Sequence, residues 1–576
     1  MPSILRVNLT KGVVQTEEVP AKYRERAGRW LTSSIVADEV DPQCHPLGPN
    51  NKLVFAPGLV TGTAAPTSAR ISVGGKSPLT GGIKEANAGT KFATMQARLG
   101  LRAIVLEGQA TNGTYVLEVD RKGARLVPAP ELAGKGAYET TDALIAKYGE
   151  VGVCCVGPAG ENRMAMAGVC FNDMKDRASR YAGRGGLGAV MGSKGLKAIV
   201  IDDKGTRAVP LANKELFDEG RKKMTAALRS HAVTKPKGGL NTYGTCVLVN
   251  IMNEAGGLPT RNFRFGRFED AAKVSGEAIF DTNKQRLGNE LYNHACSPGC
   301  IIQCSNTLHA ADGSEIVSCL EYETDWAFGP NCGIGDLDVL GKLTWLCNDI
   351  GIDTIEAGGT VAVAMEGGVI PFGDAQGAIG LLEEVRKATP LGRIIGAGAA
   401  ITGKTFGVTR VPAVKGQNMP AYEPRVVKGI GVTYATSTMG ADHTAGYTIA
   451  PEILGVGGKV DPFVVSKGEL SRAFQQTTAF IDSSGHCLFI AFAILDIPDG
   501  YQGMIDECNG LLGTSWTSAD VLRIGEEVLA MERAFNAGAG IGREADRMPE
   551  FMRIEPVPPH NFVWDVSDAE LDIVRG

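Results

Sequence analysis

Arg180-Tyr-Ala-Gly183-Arg184-Gly185-Gly186-Leu-Gly188 lies near the end of a long stretch in which short apolar or alternating runs recur between Gly and Pro turns. Those runs are Lys52–Phe55, Ala69–Val73, Leu101–Leu106, Tyr115–Val119, Val151–Val156 and Ala198–Ile201. They read as strands, with helical runs at Ala88–Leu99 and Thr140–Lys147 between them. Bare N–H groups in such a glycine segment can cradle phosphate oxygens, and a fixed guanidinium can bind them bidentately. Glycine turns in a sheet-rich domain, with surface arginines, would read the same way. The segment is no P-loop, since Gly-x-x-x-x-Gly-Lys-Ser/Thr does not occur. Arg184–Gly188 also lacks the G-x-G-x-x-G order of a dinucleotide fingerprint. Two earlier segments share its composition: Gly58-Leu-Val-Thr-Gly-Thr-Ala-Ala-Pro-Thr-Ser-Ala-Arg70 and Lys84-Glu-Ala-Asn87-Ala-Gly89-Thr-Lys91.

From about Pro210 the pattern changes to helical periodicity, at Lys214–Leu228, Val247–Glu254, Leu337–Ile350, Gly359–Glu366 and Gln376–Lys387. A second break falls at Arg410-Val-Pro-Ala413, followed by helical runs at Lys467–Phe480, Ser518–Gly538 and Ser567–Arg575. No repeat with a period of 20–50 residues interrupts this order. The expected fold class is therefore α+β. A β-rich domain over 1–208 precedes two mainly helical domains, over 209–411 and 412–576.

The chain has 576 residues, 44% hydrophobic and 21% charged, enough apolar material for a large core in a globular protein. With 58 Lys+Arg against 64 Asp+Glu, its net charge of −6 lacks the footprint of a nucleic-acid binder. Glycine, at 75 residues, is about 13%, near twice the usual ~7%, which implies tight turns and close backbone approach. No run of 18 apolar residues suggests a membrane span. The opening Met1-Pro-Ser-Ile-Leu-Arg6 has neither an apolar signal core nor a twin arginine, so a cytoplasmic location is expected. The 13 scattered cysteines then read as thiols or metal ligands rather than disulfides.

His294-Ala-Cys296-Ser-Pro-Gly-Cys300-Ile-Ile-Gln-Cys304 is the sharpest local signal. Iron–sulfur clusters take four thiolates, commonly three from one loop and a fourth from elsewhere. A structural zinc completed by His294 or His309 is an alternative. A one-faced helix stripe is another, although Pro298-Gly299 opposes a helix. The fourth thiol has a candidate in Asp482-Ser-Ser-Gly485-His486-Cys487, which follows a helical run. Asn348-Asp-Ile-Gly351-Ile-Asp353 fits the same template, D/N-x-x-G-x-C/D at a helix end, where glycine suits a left-handed cap. Two such turns read either as a pair of similar ligand units or as two ordinary helix caps.

Together these pieces resemble the aldehyde:ferredoxin oxidoreductase family of tungsten bis-pterin enzymes. The likeness runs almost end to end. It is carried by Ala56-Pro-Gly-Leu-Val-Thr-Gly-Thr63, Lys76-Ser-Pro-Leu-Thr80, Gly157-Pro-Ala-Gly-Glu-Asn162 and Ala182-Gly-Arg-Gly-Gly-Leu-Gly-Ala-Val-Met-Gly-Ser193. Further landmarks are Asn241-Thr-Tyr-Gly-Thr245, Leu258-Pro-Thr-Arg-Asn-Phe263, Glu321-Tyr-Glu-Thr324, Pro420-Ala-Tyr-Glu-Pro-Arg425, Glu532-Arg-Ala-Phe-Asn536 and Arg547-Met-Pro-Glu550.

The resemblance implies a sheet base under two pterins, two helical domains over them, and tungsten, in preference to molybdenum, between their dithiolenes. It implies that Arg70, Asn87, Gly89, Ala182, Arg184, Gly185 and Gly186 hold pterin phosphates, which a Mg2+ ion joins. Asn348, Asp353, Asp482 and Leu488 would meet the pterin rings, and Cys296, Cys300, Cys304 and Cys487 would ligate a [4Fe-4S] cluster. The implied activity is oxidation of an aldehyde to its carboxylic acid, with electrons leaving through the cluster to ferredoxin or an iron–sulfur subunit. Glu323 is the candidate base, His443 the candidate donor to the carbonyl, and Glu321 the alternate base. Both glutamates also read as acids at the positive end of a helix. The same fold admits a low-potential reductase of an aromatic acyl-CoA, like the tungsten subunit of benzoyl-CoA reductase. A non-catalytic electron-transfer or zinc scaffold is the remaining alternative.

Four departures from the family pattern stand out. CxxxCxxxC replaces CxxCxxxC, and Asn348 stands where Asp is usual. Gly440-Ala-Asp-His443-Thr-Ala-Gly446 keeps the histidine but lacks the basic residue two positions later. Lys342 replaces a glutamate that holds a homodimer-bridging iron in some members, so the resemblance does not carry that iron over and leaves any oligomer open.

Overall fold

The computed structural model describes residues 2–575. Its first part is two six-stranded sheets. One contains β1 (Ser3–Asn8), β2 (Val13–Glu18), β3 (Leu53–Pro57), β4 (Arg70–Lys76), β5 (Ile83–Gly89) and β6 (Leu101–Glu107), in the order β2-β1-β6-β3-β4-β5. The other contains β7 (Tyr115–Asp120), β8 (Gly123–Pro128), β9 (Gly152–Cys155), β10 (Val169–Asn172), β11 (Ala178–Ala182) and β12 (Leu196–Ile201), in the order β11-β10-β9-β12-β7-β8. Each sheet has one parallel pair, β1 with β6 and β7 with β12, among antiparallel ones.

Side chains alternate across a strand, and here both faces are covered. Leu5, Val7, Leu53 and Phe55 face Leu117, Cys154, Phe171 and Ile199 across a shared core between the sheets. The alternate residues Ile4, Val54, Ala56 and Val105 pack under the helix Gly28–Glu39, and Val153, Cys155, Ala198 and Val200 under the helix Ala137–Tyr148. This double burial explains why β3 and β12 read as continuous apolar runs. The edge strands β5 and β11 pack against each other where the sheets meet. The expected helix Ala88–Leu99 begins late: Ala88 and Gly89 complete β5, and Thr90 caps a helix over Lys91–Arg98 by accepting from Phe92 N.

From Lys214 onward helices dominate. Lys214–Ser230 lies along Pro498–Leu512, with Gly220 against Gly503 so closely that a Cβ on Gly220 would stand 2.7 Å from the Gly503 carbonyl. No helix among the described residues is long and apolar enough to cross a membrane.

Both D/N-x-x-G turns dock on the sheet part. Gly351 ends the helix Leu337–Ile350 with φ +80°, and Gly485 ends Gly468–Ser484 with φ +91°. Gly485 lies against Gly58, just after β3, where a Cβ would come within 2.0 Å of the Gly485 Cα. Gly351 lies against Gly157, just after β9, with 2.8 Å between its would-be Cβ and the Gly157 nitrogen. Main-chain bonds lock both turns: Leu59 and Val60 donate to the Ser483 and Ser484 carbonyls, and Gly168 donates to Gly351 while Asp353 donates to Met166.

Candidate functional site

The β5 and β11 edges and the two turns border a cavity of about 300 Å³ that is partly open to solvent. Arg70, Asn87 and Gly89 reach it from β4 and β5, Arg184 from the bend after β11, Asn348 and Asp353 from the first turn, and Asp482 and Leu488 from the second. His443 closes it from a short 3-10 turn. Residues far apart in the sequence thus share one wall. Ala182 is buried in β11 and does not reach the cavity surface. Gly185 and Gly186 lie just behind it with φ +82° and +78°. A Cβ on Gly186 would stand 2.4 Å from the Ala165 carbonyl, and on Gly185 2.5 Å from Lys84 Cγ, so only glycine fits at either position.

Arginines tie the walls together. Arg184 donates from Nε to Asp353 Oδ2 (3.2 Å), from Nη1 to the Ala441 carbonyl (2.7 Å) and from Nη2 to the Asn418 carbonyl (2.6 Å). Asp353 also caps the helix Thr354–Glu366. Arg29, from the helix over the first sheet, donates to Glu532 (3.0 and 2.9 Å) and to Asp482 Oδ2 (3.3 Å). Asp353 and Asp482 therefore each meet one buried guanidinium. Arg70 bonds Asn87 through its side chain and its carbonyl. Asn348 donates to Tyr138 Oη at 3.2 Å, and its carbonyl accepts from Tyr181 Oη. Burial, with the charge of Glu85, pushes Asp482 up to about 7.

The glutamates of Glu321-Tyr-Glu323 point to different places. Glu321, the residue before the helix Tyr322–Phe328, accepts from Thr245 Oγ1 at 2.8 Å and lies 3.9 Å from Arg180. Glu323, in the first helical turn, accepts from Ala421 N at 2.9 Å with Oε2 and holds Oε1 3.3 Å from His443 Nε2. That approach is too oblique for a hydrogen bond, so Glu323 Oε1 is buried without a partner; on the other side of the ring His443 Nδ1, 3.8 Å from Asp442 Oδ1, is unpartnered too. Burial drives Glu323 up to about 8 and His443 down to about 4. Near neutrality the histidine is uncharged and the carboxyl largely holds its proton. Tyr422 and Tyr447 flank the His443 ring at 5.9 and 6.1 Å between centroids.

The cysteine segment forms no helix, and Gly299 turns it at φ +73°. Thr67 fastens it: Thr67 N donates to the Gly299 carbonyl, Ile301 N to Thr67 Oγ1, and Cys487 N to the Thr67 carbonyl. One residue of the first part thus holds both the CxxxCxxxC loop and the turn of Cys487. The Cys300 thiol's hydrogen bond holds Cys296 well below the usual thiol range, helped by Arg180 and Arg70. Burial raises Cys304 and Cys487, and each also feels the charge of Cys296. His294 Nε2 is 2.8 Å from Arg177 Nη2, and His309 turns to Asn283. Neither histidine is available to the thiols. All 13 cysteines are unpaired. Among the described residues, no three His, Cys, Asp or Glu side chains gather as they would round a single ion.

The residues suit the groups that the sequence implied. Two arginines and an asparagine on a glycine-lined wall match phosphates. Three loop thiols and one turn thiol near two arginines match a thiolate-held cluster. Polar atoms of His443 and Arg180, both in the cavity wall, and of the neighbouring Glu323 have no partner within the chain. Several wall residues escaped the sequence reading: Arg29, Lys84, Glu85, Arg180, Cys319 and Asp442. Four of them sit inside the quoted glycine and histidine segments, where acids and bases among small residues were the available signal. Cys319, strained at φ +77°, had no such flag.

Sequence models of the family described as aldehyde ferredoxin oxidoreductase match this chain over residues 4–203, as its N-terminal domain, and 219–570, as domains 2 and 3. The chain belongs to that family. It is 38% identical to the tungsten-containing aldehyde ferredoxin oxidoreductase of Thermococcus kodakarensis, over 96% of this chain and 91% of that protein. The protein of the same name from Pyrococcus furiosus is 37% identical over the same shares. Among solved structures, a chain of the active site complex of benzoyl coenzyme A reductase bound to 1,5-dienoyl-CoA superposes with a TM-score of 0.77. The match covers 95% of this chain and 90% of that one at 19% identity, a likeness of fold. This aldehyde ferredoxin oxidoreductase family member is an oxidoreductase with the α+β architecture expected from its sequence.

Proposed function

We propose that the protein oxidises aldehydes to carboxylic acids as a tungsten bis-pterin enzyme of the cytoplasm, passing electrons through a [4Fe-4S] cluster to ferredoxin or an iron–sulfur subunit. The observation that carries this reading is the Glu323–His443 pair, 3.3 Å apart, with His443 in the wall of the cavity that Arg70, Asn87 and Arg184 also line. The bound metal and pterins would supply a Lewis acid and a two-electron acceptor. Arg70, Asn87 and Arg184 would hold the phosphates, with Mg2+ between them, and Gly89 leaves them room. Asn348, Asp353, Asp482 and Leu488 would orient the rings. Cys296, Cys300, Cys304 and Cys487 would ligate the cluster.

Neutral His443 can donate an N–H to the aldehyde oxygen, and the carboxylate form of Glu323 can take the proton released when water adds. Tyr422 and Tyr447 wall the space beside His443 and limit water around the reacting carbon. Glu321, turned to Thr245 and Arg180, is out of this pair and serves the thiol side.

The test is an aldehyde panel with a viologen acceptor on anaerobically purified protein, alongside metal analysis and an aromatic acyl-CoA arm. Aldehyde-dependent viologen reduction, with tungsten near one and iron near four per chain, is the expected result. Turnover of the acyl-CoA alone would replace this reading with ring reduction, and zinc alone would replace it with a scaffold.

A further inference from the structure

Lys84 is the one lysine in the cavity wall among the described residues, and its side chain is 1% exposed. Its stem crosses the Gly185 backbone, where a Cβ would lie 2.5 Å from Cγ, 2.7 Å from Cδ and 2.9 Å from Cε. The ammonium is thereby held in one place. Its hydrogen-bond partner within the chain is Asp442 Oδ2, at 3.3 Å. An ammonium has three protons to donate. Of the buried lysines away from the cavity, Lys91 and Lys428 have one partner each, the solvent-open carboxylates of Asp176 and Asp565. Others find two: Lys76 bonds the Pro42 and Cys44 carbonyls, Lys194 those of Asn51 and Gly108. Lys197 meets the Lys135 carbonyl and Glu161, and Lys415 the Ala435 carbonyl and Asp546. Lys84, with one buried partner, has two donors left over.

Asp442 Oδ2 has Lys84 as its hydrogen-bond donor, while the rest of the carboxylate is held from elsewhere. Its Oδ1 accepts from Thr444 N (3.0 Å) and Thr444 Oγ1 (2.8 Å), and Oδ2 lies 3.9 Å from Arg184. The segment after His443 brings no cation of its own, since Thr444, Ala445 and Gly446 follow, and Ala445 lines the same wall. Positive charge at this end of the cavity comes from Lys84 on β5 and from Arg184. A buried cation with open donors is costly unless an anion completes it.

We propose that Lys84 binds the ligand of this cavity, giving its two open N–H donors to a phosphate oxygen of the pterin. This rests on the pterin reading of the cavity. Phosphate is favoured over substrate because Lys84 lies on the Gly185 backbone beside Arg184, within the wall assigned to phosphates.

The test compares the intact protein with Lys84→Met, Lys84→Arg and the double variant Lys84→Met/Asp442→Asn. Tungsten, pterin and iron are measured per folded chain after dialysis, with circular dichroism as the check on fold. Losing a hydrogen bond to a charged group should cost Lys84→Met about tenfold in retained tungsten and pterin together, with iron unchanged. Lys84→Arg should keep most of both. The double variant, which removes the unpaired carboxylate, should stay depleted. Full tungsten and pterin in Lys84→Met would overturn the proposal, as would recovery in the double variant, which would make Lys84 only a counterion to Asp442. Unaltered protein without tungsten or pterin would instead overturn the reading of the cavity, a separate result.

Discussion

Glu323 and His443 show how one helical register divides two glutamates that the sequence could not separate. The Glu-Tyr-Glu spacing puts both in range of the same centre, and only the helix start decides. Glu321 stays outside the helix and turns to Thr245, while Glu323, in the first turn, faces His443. If Glu323 is the base, its carboxylate form must grow as pH rises through its raised value of about 8. Aldehyde oxidation should therefore climb from pH 6 through about 8, where it is half-maximal, and level off about one unit higher, the base limb of a pH–rate profile. His443, lowered to about 4, stays neutral over that range and adds no second limb. Glu323→Gln keeps the shape and removes the acceptor. Turnover should fall about 10²–10⁴-fold, the climb with pH should vanish, and tungsten should remain. Near-normal turnover in that variant would move the role to another group.

At the scale of elements, legibility followed burial. Leu53–Pro57 and Leu196–Ile201 were readable as strands because both their faces are apolar. The strands that build the site were not: Ile83-Lys-Glu-Ala-Asn-Ala-Gly89 and Ala178-Ser-Arg-Tyr-Ala182 carry charged side chains because those face the cavity. A strand that turns ionic groups to a ligand loses the alternation that identifies it. The two D/N-x-x-G turns were readable as caps, but their docking on Gly58 and Gly157 needs the structure, since each partner is a lone glycine far away in the sequence. That docking makes a direct prediction. A Cβ on Gly485, at φ +91°, would meet Thr61 Oγ1 at 2.5 Å and Gly58 Cα at 2.8 Å. Gly485→Ala should cost about 1–3 kcal/mol in backbone strain and more in displacement of the turn. It should unfold earlier on heating at a fixed scan rate and bind less iron, because Cys487 moves with the turn. Gly380→Ala, a helical glycine with open space around its Cβ, should do neither.

Across the whole molecule, Arg184 joins the bend after β11 to Asp353 of the middle segment and to the Asn418 and Ala441 carbonyls of the C-terminal segment. Arg29 makes the corresponding link from the first sheet to Asp482 and Glu532. The sheet part and the helical parts are thus clamped through guanidinium groups at the edge of one cavity. A ligand that binds there stabilises the folded chain by mass action, and a nearly irreversible one does so strongly. Cofactor-free protein should therefore be cut by protease sooner between residues 58 and 90 and around 180–188 than loaded protein. Arg184→Ala removes three cross-links at once and leaves Asp353 and the two carbonyls without their donor, a loss beyond the range of a surface change. It should lower tungsten and pterin content together while iron falls less, since Thr67, not Arg184, fastens the cysteine loop. Limited proteolysis with metal analysis of the same samples checks both statements. Equal cleavage of loaded and cofactor-free protein, or full tungsten in Arg184→Ala, would mean that the sheets and helices hold the cavity shape unaided and that the glycine segments are only turns.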